Sequence, residues 1–255
     1  MKRVLLVVAY DGTNYHGWQV QPSAVTIESE LNRAIQELTG EDIAVIGASR
    51  TDAGVHAMGN VAVFDTESNI PGEKFSYALN QRLPDDIVIQ HSSEVDMCFH
   101  PRHCDCVKTY EYRILNRRFP LPEYRNTSYF YYGNLDVDAM RTAAAFFVGE
   151  HDFAGFCSAG AQVKTTVRTV FELEILESVQ DIAALGRMLT IRITGNGFLY
   201  NMVRIIAGTL IEVGKGNIPA EQTADIIAAC DRKRSGPTAP ARGLHLTEIR
   251  YNVKI

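Results

Sequence analysis

From Ser49 to Ala57 the chain reads Ser-Arg-Thr-Asp-Ala-Gly-Val-His-Ala, placing Arg50, Asp52, Gly54 and His56 almost side by side. A lone carboxylate in a cleft can attack an electrophilic carbon or remove a proton. Thr51-Asp52-Ala53-Gly54 is equally a good turn, because aspartate and glycine favour turns for conformational reasons of their own. Arg50 does not decide between the two, since charges flank most loops. His56 lies four residues from Asp52, and one such pair does not establish a dyad.

Three other stretches could carry chemistry. Cys98 to Cys106 holds Cys98, His100, His103, Cys104 and Cys106, the residue types zinc takes. The spacing is poor, with Cys104 and Cys106 only two apart and no second pair to close a tetrahedral site. Gly208 to Gly216 has the look of a phosphate loop, but it has one residue too many before Gly214-Lys215 and lacks the hydroxyl after the lysine. Its glycines read better as helix terminators. Lys108-Thr-Tyr-Glu-Tyr-Arg-Ile114 alternates as a strand, with Lys108, Tyr110 and Tyr112 on one face. Such a face suits base stacking and phosphate contact, although tyrosines are also simply good strand residues. Arg117, Arg118 and Arg125 follow it, and Arg232-Lys-Arg234 is a second basic run.

The absences narrow the chemistry further. The chain has no nucleotide loop, dinucleotide fingerprint or nucleophilic serine elbow. An enzyme of this sequence is expected to use no cofactor and little beyond one or two side chains. The net charge of -5 gives no global attraction to nucleic acid, so any RNA binding must rest on a local basic cleft. The N-terminal apolar run is too short for a signal peptide, and no run approaches a membrane span. Five cysteines without an export signal are expected as reduced thiols, and the chain as cytoplasmic with no membrane association.

These side chains need elements to hold them. Arg3–Tyr10 reads as a buried strand. Thr26 can cap a helix with Ile27, Leu31, Ala34, Ile35 and Leu38 on one face, ended by Gly40. Strands are expected at Ile43–Ile46 and Val61–Phe64, a helix from Pro71 with Phe75, Ala78, Leu79 and Leu83 inward, and a strand at Ile87–Gln90. The second half repeats the idea. Strands are expected at Val107–Leu115, Thr169–Leu176, Met188–Thr194 and Leu246–Tyr251, with helices at Val137–Val148, Phe198–Val213 and Ala220–Ala229. This predicts an α+β protein of two halves, residues 1–105 and 106–255, each a sheet with helices packed on it.

Several blocks in order resemble the pseudouridine synthase superfamily, nearly end to end. They are Tyr10-Asp-Gly-Thr-Asn-Tyr-His-Gly-Trp-Gln-Val-Gln21, the Ser49–Ala57 loop, Phe99-His-Pro-Arg102 with Lys108–Ile114, Gly149-Glu-His-Asp-Phe153, Gly197–Gly208 and Thr238–Leu246. Ser49 stands where glycine is expected, and Glu28 where glutamine is more usual. The resemblance implies two ferredoxin- or RRM-like α/β sandwich halves whose antiparallel sheets join across a central active-site cleft. It implies a homodimer that isomerises uridine to pseudouridine in the anticodon stem-loop of tRNA (tRNA positions 38–40), with no cofactor. It makes Asp52 the catalytic residue, acting at C1' or on the C2' proton. Arg204 would pair with Asp52, Tyr110 would stack on the flipped uracil, Leu244 would pack its other face, and Arg50 would fill the stem the base has left. It favours a structural or RNA-facing role for His100 over zinc. Two rival readings remain, a tRNA chaperone on the same platform without turnover and a zinc enzyme built on Cys98–Cys106.

Overall fold

The computed structural model describes residues 1–160, 163–179 and 186–252. The chain forms two compact units. One holds Met1–Cys106 together with the chain from His245 onward, and the other holds Val107–Leu244.

The first unit is built on strands β1 (Lys2–Tyr10), β2 (Ile46–Gly47), β3 (His56–Thr66), β4 (Ile87–Val95) and β10 (Leu244–Tyr251). Antiparallel β1 lies between β3 and β4, with Val4 opposite Phe64 and Val7 opposite Val61. Strand β10 runs parallel to β3, with His245 opposite His56. Helix α1 (Ile27–Thr39) starts where Thr26 Oγ1 accepts from Ser29 N and Ser29 Oγ accepts from Thr26 N. It ends at Gly40, which takes the left-handed conformation glycine tolerates. Ile27, Leu31, Ala34 and Ile35 are its buried face.

The helix expected from Pro71 is shorter than its apolar pattern. A 3-10 turn over Gly72–Lys74 leads into α2 (Phe75–Leu79). Asn80 then stops it, its side chain accepting from Ile89 N at 2.7 Å and donating to Ile89 O at 3.0 Å. Leu83 is buried from beyond the helix. The strand expected at Ile43–Ile46 is reduced to Ile46–Gly47.

In the second unit β5 (Cys106–Arg117) pairs with β9 (Gly186–Gly195), β9 with β8 (Val167–Val179) and β8 with β7 (Gly149–Asp152), all antiparallel. The short β6 (Tyr129–Tyr131) runs parallel to β5. Tyr110, Tyr112 and Ile114 face Ile193, Ile191 and Leu189 in register, and all six are buried. Helix α3 (Val137–Ala145) packs on β8 and on α4 (Met202–Gly214), while α5 (Gln222–Ala228) packs near β7. Helix α4 is apolar on nearly every side, as a helix enclosed in a core must be. It begins four residues later than its pattern suggests, because Asn201 sits left-handed at φ 61° and the first helical bond runs from Ile205 N to Asn201 O.

Candidate active site

Asp52 stands half-buried in a turn between β2 and β3, closed by a hydrogen bond from Val55 N to Asp52 O at 3.1 Å. Gly54 takes φ +75°, which a side chain would strain. The turn is held from outside by the loop that follows β1. Trp18 N donates to Thr51 O at 3.0 Å, Gly54 N donates to Tyr15 O at 3.3 Å, and Tyr10 OH shares a 2.7 Å hydrogen bond with Thr51 Oγ1. Asn60 Nδ2 donates to both Tyr10 OH and Ser49 O. Ser49, Thr51, Asp52 and Gly54 are therefore each held by a hydrogen bond.

Such close approach explains the glycines of the first block. A methyl at Gly17 would lie 2.7 Å from Thr51 O, and one at Gly12 would run into Val55 O. Gly47 leaves room for the indole of Trp18, which is 1 % exposed. Read as a sequence, Asp11–Gln19 is a turn-rich polar loop; in the fold it braces the Asp52 turn. Tyr10, Trp18 and Asn60 were missed as site-supporting residues, and the available signal was the pair Gly12 and Gly17. Glu28, one of the two departures from the family pattern, accepts from Val20 N at 2.8 Å and so steadies the same loop. Ser49, the other, is buried with its carbonyl on Asn60. Arg50 projects outward and is exposed.

His56 opens β3. Its Nδ1 accepts from Gly12 N at 3.2 Å and lies 3.1 Å from Asp11 Oδ1, and its ring stacks on His245 at 4.6 Å. Burial alone would raise the Asp11 carboxyl, but hydrogen bonds from Thr13 Oγ1 and N hold it below the usual range.

The other candidate residues belong to the second unit. Tyr110 on β5 is 8 % exposed, with its ring edge-on to Phe198 at 5.3 Å. Tyr112, its neighbour on the same face, is not available for stacking on a base. It is fully buried, its hydroxyl donates to Pro240 O at 2.9 Å, and Gly243 presses against its ring. The alternation of the strand puts both tyrosines on one face, and at Tyr112 that face is core. Arg204 in the first turn of α4 donates through Nε to Ala239 O at 2.8 Å and through Nη1 to Asn201 Oδ1 at 2.7 Å. Its own carbonyl accepts from Ala239 N. The segment before Leu244 is thus bound to α4, and Gly208 and Gly236 allow that contact. Leu244, at the start of β10, is 6 % exposed.

The Cys98–Cys106 segment forms turns on His100 O, and Arg3 Nη1 donates to the carbonyls of Met97 and Phe99. Among the described residues no three histidine, cysteine, aspartate or glutamate side chains converge as a metal site. Among them, too, no helix is long and apolar enough to cross a membrane.

Comparisons with known proteins give the family of the chain. The family model for tRNA pseudouridine synthase matches residues 6–103 and 143–252. Arg50, Asp52, Arg204 and Leu244 fall within those segments, and Tyr110 between them. A tRNA pseudouridine synthase A of Acetivibrio thermocellus is 51% identical over 98% of this chain and 100% of its own length. Proteins of the same name from Ruminiclostridium cellulolyticum and Brevibacillus brevis are 49% and 50% identical, again over 98% of this chain and all of theirs. This chain belongs to the tRNA pseudouridine synthase family.

Proposed function

We infer that this chain isomerises uridine to pseudouridine in the anticodon stem-loop of tRNA, with Asp52 as its catalytic residue. The reaction breaks the C1'–N1 bond and makes a C1'–C5 bond, while the proton lost from C5 is balanced by one gained at N1. Bonds and electrons balance within the substrate, so the step calls for a placed carboxylate and no external reagent. Asp52 serves either by attack at C1' or by removing the C2' proton to give a glycal.

The observation that carries the reading is the bracing of the Asp52 turn, in a chain that matches enzymes of this name over their full length. A carboxylate that must act on one carbon needs its backbone fixed, and placement alone is worth several kcal/mol of barrier. Arg204 is taken to pair with Asp52 and keep the carboxylate ionised; within its own unit its guanidinium is oriented by Ala239 O and Asn201 Oδ1. The reading has Tyr110 stack on the extruded uracil, Leu244 pack its other face and Arg50 occupy the stem position the base has left. It takes the two units as ferredoxin-like sandwiches that build one cleft, the active form as a homodimer, and the cytoplasm as its compartment.

The test is nucleoside analysis of unmodified tRNA transcripts after incubation with the protein, mapping each new pseudouridine. Pseudouridine confined to the anticodon arm is expected. Tight tRNA binding without any pseudouridine would replace the enzyme reading with that of an RNA chaperone.

A further inference from the structure

His56 and His245 form a buried stacked pair that the reaction as described does not use. They are 3 % and 4 % exposed and oppose each other in the parallel register of β3 and β10, with rings 4.6 Å apart and 18° from parallel. Two groups compete for His56 Nδ1. Gly12 N–H points at it from 3.2 Å, and Asp11 Oδ1 lies 3.1 Å away. One nitrogen cannot accept from the first and donate to the second at once. Asp11 already accepts from Thr13 N and Oγ1, whereas Gly12 N–H would be left buried beside the imidazole.

What Gly12 touches gives this choice its consequence. Gly12 lies hard against Val55 O, with no room for even a methyl, and Val55 N closes the Asp52 turn. A shift of Gly12 must therefore be passed to Val55 and on to Asp52. We propose that His56 is a positioning residue for Asp52: its Nδ1 accepts the Gly12 N–H, which locks the Gly12–Val55 contact and the turn, while the His245 ring fixes the plane of the imidazole. With Nδ1 accepting, the ring proton of His56 is placed on Nε2. This inference rests on Asp52 being catalytic.

The test compares His56→Leu, His56→Asn and Asp52→Asn, each shown to be folded by circular dichroism and cooperative melting. Asparagine can offer an amide oxygen where Nδ1 was, and leucine cannot. His56→Leu is expected to lose about a hundredfold in kcat, the scale of a misplacement near 1 Å, with tRNA affinity unchanged. His56→Asn is expected to recover most of that loss. Nitrogen NMR of histidine-labelled protein, with His56 assigned from the His56→Asn spectrum, is expected to show the Nε2–H tautomer.

Wild-type kcat in a folded His56→Leu, or an Nδ1–H tautomer, would overturn the positioning role and leave Asp52 standing if Asp52→Asn is inactive. Turnover by Asp52→Asn would overturn both assignments. Should His56→Leu not fold, the tautomer and the activity of His56→Asn decide the matter.

Discussion

The backbone N–H of Trp18 donates to the carbonyl of Thr51 at 3.0 Å, so the residue before Asp52 is fixed by a loop far earlier in the chain. Gly17 permits that bond, with φ +87° and its α-carbon facing Thr51 O and Asp52 C. Gly17→Ala combines a strained backbone with a steric conflict against backbone atoms. It is expected to cost about 1–3 kcal/mol in chemical denaturation and to lower kcat more than tRNA affinity. An alanine variant of wild-type stability and rate would show that the loop does not brace the turn.

Tyr10 tests the same brace through its hydroxyl, which joins Thr51 Oγ1 and Asn60 Nδ2 in the buried interior. Tyr10→Phe leaves both partners in place without it, a loss of about 1–3 kcal/mol. Urea denaturation of the variant measures this, and a change within error would mean water takes over the hydroxyl's place.

Tyr110 and Tyr112 are expected to separate cleanly. Tyr112→Phe gives up one hydrogen bond to Pro240 O, about 1 kcal/mol of stability, with kcat unchanged. Tyr110→Ala is expected to abolish most turnover while leaving a folded protein. If both variants lost activity alike, the assignment of Tyr110 to the base and Tyr112 to the core would fail.

Much of this architecture could be read from the sequence, and the exceptions have physical causes. The limits of α1 follow from Thr26 and Gly40, because a cap and a left-handed glycine are local features. The shortness of α2 depends on Asn80 pairing with Ile89, a contact no periodicity reveals. The start of α4 is set by the left-handed Asn201, inside an apolar run that reads as continuous helix. The segments of β6 and β7 are too short for alternation to show, and only their partner strands define them. At the site, Asp52 could be singled out from its neighbours' resemblance to a family, whereas its brace could not. Tyr10, Trp18 and Asn60 act through carbonyls and hydroxyls brought close only by folding.

Acid stability should depend on Glu111. Burial raises this carboxyl, but Arg192 and Arg113, at 2.8 and 3.1 Å, outweigh it and hold the group below its ordinary value of 4.5. A carboxylate lower in the folded than in the unfolded chain adds stability above the unfolded value, and the contribution is lost as pH falls through the folded one. Stability should therefore drop as the pH is lowered below 4.5, and Glu111→Gln should flatten that part of the profile. Denaturation midpoints across this range check it, and an identical acid profile in the variant would contradict the ion-pair account.

Binding of tRNA by a chain of net charge -5 must rest on local cations. Affinity is expected to fall with salt, with a log–log slope of about -0.9 for each phosphate neutralised on duplex-like RNA. An affinity independent of salt would contradict a basic binding cleft.

Uridine isomerisation by Asp52 is the chemistry proposed for this site. Its most direct test is tritium release from tRNA labelled at uridine C5, with wild-type protein and Asp52→Asn assayed side by side. Forming the C1'–C5 bond must expel that tritium. Release is expected from the wild type, and none from a folded Asp52→Asn that still binds tRNA. Release by both proteins, or by neither, would contradict it.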